Sequence, residues 1–216
     1  MRSLLTSVFA VTVSLCVYGQ DAPKETRGLS PRPAPADYQA QAKAGAVTIA
    51  AEFMGHSVPT AQGNLSTEEY VIVETGLYGA PDASLKLAIE DFSLRINGKK
   101  SPLSALPFGV IFTSLKDPEW EPPVPAQSSG KSKTSLTGGG GGGGGEPPPP
   151  PPKIEIPMEM RRAMQQRVQK AALPEGGRAL PVAGLLFFQY PGKTQGIRSI
   201  ELLYSGPAGK ATVPLH

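Results

Sequence analysis

From Gly138 to Gly145 the chain runs through eight consecutive glycines, then Glu146, then six prolines from Pro147 to Pro152. No packed core incorporates such a tract. Glycine has no side chain to bury and loses the most backbone entropy on ordering, and a proline run holds an extended helix without internal hydrogen bonds. The tract therefore reads as solvated spacer within a low-complexity stretch, residues 121–153, and it separates two patterned blocks of a 216-residue chain. Whether those blocks are two domains or two parts of one is the first question of organisation.

The N-terminus has the form of a secretory signal peptide. Met1-Arg2-Ser3 is followed by an uncharged, mostly apolar run from Leu4 to Tyr18 and then by Gly19-Gln20-Asp21. One positive charge, a short apolar stretch and small residues at its end are what export and cleavage require. Val17 and Gly19 suit the two small-residue positions before a cut near Gly19. The run falls short of the about 20 apolar residues of a membrane span, so no stable span is expected after cleavage, a retained anchor being the alternative. The expected location is secreted or periplasmic. Cys16 is the one cysteine and lies inside the signal; Leu15 stands where a lipid-attachment motif needs a small residue. The mature chain then has no disulfide, thiol nucleophile or cysteine-ligated zinc, and its stability rests on its core.

Charge excludes one partner class. Cleavage near Gly19 removes Arg2 alone and lowers the formal net charge from +3 to about +2, with no dense basic run, so nucleic acid is not an expected partner.

Residues 20–44, with Pro23, Pro31, Pro33 and Pro35, read as an unstructured leader, with folded material beginning near Gly45. Val47, Ile49, Ala51 and Phe53 then alternate with Thr48, Ala50 and Glu52 as a half-buried strand does. Thr60 to Glu68 is polar and reads as a loop. Tyr70 to Tyr78 forms a second strand, Leu85, Leu87 and Ile89 a third, and Phe92, Leu94 and Ile96 a fourth, closed by the hairpin-turn pair Asn97-Gly98. Phe108 to Leu115 is a further apolar, strand-like run.

Beyond the spacer, Ile156, Met160, Met164 and Val168 recur every four residues, with Ala163, Ala171 and Ala172 near the same face. That spacing predicts an amphipathic helix of about four turns, with Arg161, Arg162, Gln165, Gln166, Arg167 and Lys170 on its other face. Strands are expected at Ala183–Tyr190, Ile197–Tyr204 and Ala211–Leu215. A block of one helix and three strands, about 60 residues, is marginal for its own core, whereas both blocks together reach about 140, a common domain size. We therefore expect one domain over residues 45–216: all-β, an antiparallel sandwich with one inserted amphipathic helix and a disordered Gly/Pro-rich loop.

Tyr70-Val71-Ile72-Val73-Glu74, Asp91 to Lys100, Gly184-Leu185-Leu186-Phe187-Phe188 and Ile200-Glu201-Leu202-Leu203-Tyr204 carry a resemblance. The chain resembles immunoglobulin-like extracytoplasmic domains of bacterial secreted proteins, grouped under domains of unknown function. The resemblance spans most of residues 46–120 and 180–216. It implies an immunoglobulin-like sandwich and a binding or assembly role, and it transfers no catalytic residue. The helix and the spacer depart from the family pattern.

Catalytic groups are sparse. His56 sits in a turn, His216 ends the chain, and no nucleophile-elbow pattern accompanies either. Gly130-Lys131-Ser132 mimics the end of a phosphate-binding loop, yet Pro125 stands where its first glycine belongs and no strand precedes it. Glu68-Glu69 and Asp117 with Glu119 lack the alternating ligand loop that calcium requires. No enzyme activity, cofactor or metal is expected. The contact surface expected from sequence is the basic helix face of Arg161, Arg162, Arg167 and Lys170, with Trp120. The leading expectation is a non-enzymatic binding or assembly module of the bacterial envelope, its partner an envelope protein or polymer engaged through a sheet edge or turn surface. The alternative is an extracytoplasmic carrier of a small ligand or cation, with converging polar groups near His56, Glu68 or Asp117.

Overall fold

Alternating apolar residues need a second surface to bury against, and in this chain two antiparallel sheets provide it for each other. The computed structural model describes residues 28–120 and 156–215; the segment read as a signal peptide, residues 20–27, residues 121–155 with the low-complexity stretch, and His216 lie outside them. The strands of the first block are β1 (Ala40–Ala44), β2 (Val47–Gly55), β3 (Ser57–Thr60), β4 (Gly63–Ser66), β5 (Tyr70–Tyr78), β6 (Ser84–Leu87), β7 (Phe92–Ile96) and β8 (Leu103–Ser104). Helix α1 (Met158–Ala171) opens the second block, followed by β9 (Gly176–Ala179), β10 (Val182–Gln189), β11 (Ile200–Gly206) and β12 (Gly209–Leu215).

The first sheet has the order β1-β2-β5-β10 and the second β12-β11-β7-β8. Each draws strands from both blocks: β10 pairs antiparallel with β5, Leu186 opposite Val73, and β11 pairs with β7, Leu202 opposite Leu94. Ile49, Val71, Val73, Leu186 and Phe188 of the first sheet share one core with Phe92, Leu94, Ile200, Leu202 and Val213 of the second. Asn97 and Gly98 make the expected hairpin turn into β8, both at positive φ (52° and 65°), the left-handed region an Asn-Gly pair tolerates.

The first sheet is buried on its other face too. There Tyr70, Ile72, Leu185 and Phe187 meet Met164, Val168 and Ala171 of α1, Val58 and Leu65 of the β3–β4 hairpin, and Ile111 and Leu115. Each fully buried aliphatic side chain contributes about 1.5–3 kcal/mol, so this layer fixes α1 although Pro157 at its N-cap makes no side-chain cap.

β10 is the long edge of the first sheet, and an exposed edge of apolar strand is a template for aggregation. Here it is covered: Leu29, Ala172 and Leu106 form single bridges to Ala183, Leu185 and Phe187. Leu173 N donates to Leu185 O at 3.0 Å, and Leu106 N to Phe187 O at 2.8 Å. At the opposite edge Ala40, Ala42 and Ala44 of β1 pack on the core together with Ala208 and Ala211 of the second sheet.

Three expectations are corrected. Order begins well before Gly45, because residues 28–39 lie as a strap over the outer face of the first sheet and β1 pairs with β2. Arg32 of the strap forms ion pairs with Glu52 and Glu74, which face each other across β2 and β5, and its guanidinium lies 4.3 Å over the Tyr38 ring. Proline content reads as an unstructured leader; the two carboxylates that hold the strap in place are 20 and 42 residues further along the chain. Thr60 to Glu68 is not a plain loop, since β3 and β4 pair across it around Ala61-Gln62. Phe108 to Thr113 is a 3-10 helix rather than a strand. Phe108 and Ile111 lie three residues apart, the repeat of a 3-10 helix, and both turn toward the layer beneath the first sheet.

Candidate functional site

The residues expected to form a basic contact surface are differently placed. Arg161, Arg162 and Lys170 are exposed on α1. Arg167 turns inward: Nη1 donates to Asp117 Oδ2 (3.1 Å), Nε to Thr60 Oγ1 (3.2 Å) and Nη2 to the carbonyls of Gln62 (3.2 Å) and Gly63 (3.1 Å). Its side chain is 17 % exposed and that of Asp117 16 %, so the pair is a clasp between helix and hairpin. Trp120 is half-buried just beyond, its backbone N–H donating to Asp117 O at 3.1 Å. At 100° per residue Arg161 and Arg167 lie about 60° to either side of Met164, so helical periodicity alone does not say which is drawn in.

A recess of about 660 Å³ opens at the end of the first sheet where β2 leaves, β5 begins and β10 ends. One wall is Ser66-Thr67-Glu68, the other Pro191 to Gln195, and His56 lies between them. The walls are tied from behind. Thr67 is buried with its hydroxyl 2.7 Å from Ser114 Oγ, Ser66 and Lys116 exchange two backbone hydrogen bonds at 2.9 and 2.8 Å, and Tyr190 N donates to Glu69 O at 2.8 Å. A 3-10 turn, Thr194–Gly196, shapes the second wall.

His56 is the cross-brace of this recess. Nδ1 lies 2.7 Å from Tyr70 O and Nε2 3.0 Å from Gly192 O, so one ring spans from β5 to the 191–196 loop. A neutral imidazole has one N–H and donates to one of these carbonyls; the imidazolium donates to both. Either way the in-plane directions of both nitrogens point at backbone oxygens rather than into the recess. A catalytic base needs a nitrogen aimed at the proton it takes. The Lys116 ammonium, 2.7 Å from Glu68 Oε1, holds the Glu68 carboxyl below its ordinary range. The lining of the recess is mixed: Ser66, Thr194, Gln195 and Lys193 bring hydroxyl, amide and ammonium groups, beside the apolar surface of Pro191 and the aliphatic parts of its neighbours.

Of the residues singled out for a ligand pocket, His56 and Glu68 thus meet, whereas Asp117 is committed to Arg167. The Pro191–Gln195 wall was absent from the sequence reading; its signal was a polar Pro-Gly-Lys-Thr-Gln segment at the end of the most apolar strand, where a turn meets a sheet end.

The second charged cluster is closed. Arg32 Nε and Nη2 donate to Glu74 at 3.2 and 2.9 Å, Tyr78 Oη donates to Arg32 O at 2.8 Å, and Tyr38 meets Tyr78 edge-on at 6.2 Å. Burial, with Tyr38 adding to it, pushes the Tyr78 phenol well above its ordinary value. Among the described residues no group of three His, Cys, Asp or Glu is placed to hold a metal ion, and no helix is long and apolar enough to cross a membrane. Comparison with known proteins finds no matching family model, no matching curated protein and no matching solved structure.

Proposed function

We propose that this protein is a secreted, non-enzymatic binding module of the bacterial envelope, an immunoglobulin-like sandwich whose ligand-contacting surface is the recess between Ser66–Glu68 and Pro191–Gln195. The N-terminal signal-like segment motivates the location, and the two-sheet core agrees with the family resemblance. The observation that carries the reading is the recess itself: residues with hydroxyl, amide and ammonium groups line its two walls, which His56 and Thr67 brace from behind. A braced wall lowers the entropy lost on binding.

Its shape favours a stretch of polymer over an enclosed small molecule, because the recess is open along the sheet end and Glu68 at its border is 80 % exposed. Recognition through the β10 edge is disfavoured, since three chain segments already cover it. An apolar docking face is disfavoured too: among the described residues only Val110 and Met158 are exposed large hydrophobics.

The test is titration of the isotope-labelled protein with oligosaccharide and peptide fragments of envelope polymers, followed by backbone amide shifts. Saturable shifts confined to 66–68 and 192–195, abolished by the wall-filling substitution Gln195→Trp, are expected. Shifts centred on β10 or on α1, or no saturable shift with any fragment, would overturn the assignment.

A further inference from the structure

We infer that the polymer is an acidic polysaccharide, a glycan carrying carboxylate or sulfate groups; this rests on the assignment of the recess as the ligand site. The inference comes from charges that the fold gathers around the recess and leaves unpaired. Lys193 lines it. The loop that carries Lys193 continues to Arg198, and Asn97 binds that loop directly: Nδ2 donates to Gly196 O at 3.0 Å, while Oδ1 accepts from Arg198 N at 2.7 Å and Ser199 N at 3.2 Å. Asn97 N also donates to Ser199 O at 2.9 Å. This joins the Asn97-Gly98 turn to the rim and places Lys99 and Lys100 at the same end of the molecule.

Lys99, Lys100, Lys193 and Arg198 are all exposed, and none has a carboxylate partner among the described residues. The acidic groups on these elements are Glu68, paired with Lys116, Glu201, paired with Arg95, and Glu69, which is exposed. The end is therefore net positive although the whole chain is close to neutral. Clustered like charges on one face raise the local concentration of an anionic partner and speed its encounter.

The groups inside the recess narrow the chemistry. Ser66, Thr194 and Gln195 offer donors and acceptors of the kind that pair with sugar hydroxyls, while the ammonium and guanidinium groups at the rim match carboxylates and sulfates. Among the described residues no Phe, Tyr or Trp lines the recess, and the one aromatic ring there, His56, is held edge-on to two backbone carbonyls, so the wide stacking platform on which single-stranded nucleic acid is bound is not offered.

Isothermal titration of the full chain with a hexameric oligogalacturonate, and with the same hexamer fully methyl-esterified, separates charge from sugar recognition. The acid form should bind about tenfold or more tightly than the ester and weaken as salt is raised. Lys193→Gln, and a combined Lys99→Gln, Lys100→Gln and Arg198→Gln variant, should each lower its affinity several-fold. Lys86→Gln with Lys210→Gln, away from the recess, should leave it unchanged. Equal binding of acid and ester, with amide shifts at 66–68 and 192–195, would overturn the acidic class while leaving the recess as the ligand site. Binding of neither hexamer would overturn the glycan inference, and amide shifts with envelope peptides would still decide the recess. Tighter binding of a single-stranded oligonucleotide of equal charge than of oligogalacturonate would overturn it as well.

Discussion

Arg167 Nη1 lies 3.1 Å from Asp117 Oδ2, so a residue just before the low-complexity stretch and one just after it are clasped together, 50 positions apart. Both side chains are largely buried, and the guanidinium also satisfies Thr60 Oγ1 and two hairpin carbonyls. Removing one partner of a buried pair strands the other charge, which costs about 3–5 kcal/mol. Arg167→Ala should therefore lower unfolding free energy in urea by about that amount, whereas Arg161→Ala and Arg162→Ala should stay within about 0.5 kcal/mol. Equal, small effects at all three positions would show that the clasp carries no stability.

The same clasp bears on the Gly/Pro tract. Deleting Ser128 to Pro150 shortens the connection between Asp117 and Arg167 by about half, and loop-closure entropy changes by only about 0.6 kcal/mol per doubling of length. The shortened chain should keep its far-ultraviolet circular dichroism and melt within a few degrees of the parent. A large drop in melting temperature would show that the tract contributes contacts to the fold.

Gly184 is where the backbone after α1 crosses β10. A Cβ at this position would be driven into the backbone of Leu173, 2.5 Å from its nitrogen, and 2.8 Å from Ala172 C. Gly184→Ala should destabilise by about 1–3 kcal/mol through overpacking, measured by chemical denaturation. Gly177→Ala, with nothing within 4 Å of the added methyl, serves as the neutral control.

Thr75 is fully buried in β5 and its hydroxyl has no hydrogen-bond partner among the described residues. Thr75→Val replaces that hydroxyl with a methyl of similar size. A gain of about 1 kcal/mol, read as a higher midpoint of thermal unfolding, is expected. A loss would indicate that the hydroxyl is paired in solution.

Burial, with Glu90 beside it, pushes the Asp91 carboxyl above its ordinary value. A raised folded-state value means that the folded chain holds this proton more tightly than the unfolded chain does. The resulting stability is complete below the ordinary carboxylate range and is lost as pH rises through the raised value. Asp91→Asn keeps the site neutral, so its stability relative to the parent should climb across that interval and then level off. A difference between the two that does not change with pH would contradict the burial argument.

Strand content was legible wherever one rule acted alone. Tyr70–Tyr78 and Phe92–Ile96 coincide with observed strands, and the four-residue spacing from Met160 to Val168 falls within the observed helix. Legibility failed where a partner distant in sequence decides the outcome. The proline-rich strap looks unstructured until Glu52 and Glu74 are brought side by side across two strands to receive Arg32. Phe108 to Leu115 carries its apolar residues in positions that suit a strand or a tight helix, and packing against α1 selects the 3-10 turn. The recess was half legible: His56 and Glu68 were singled out, but the Pro191–Gln195 wall is more than a hundred residues away from them.

The sequence by itself determined the periodicities of the strands and of α1 and the turn at Asn97-Gly98, because each of these is a property of neighbours along the chain. Tertiary structure alone decided which arginine of α1 became a clasp, what covered the β10 edge, and that Lys99, Lys100, Lys193 and Arg198 share one end of the molecule. Those outcomes depend on which surfaces meet when two sheets and a helix bury their apolar faces, and burial is sensitive to area rather than to position in the chain.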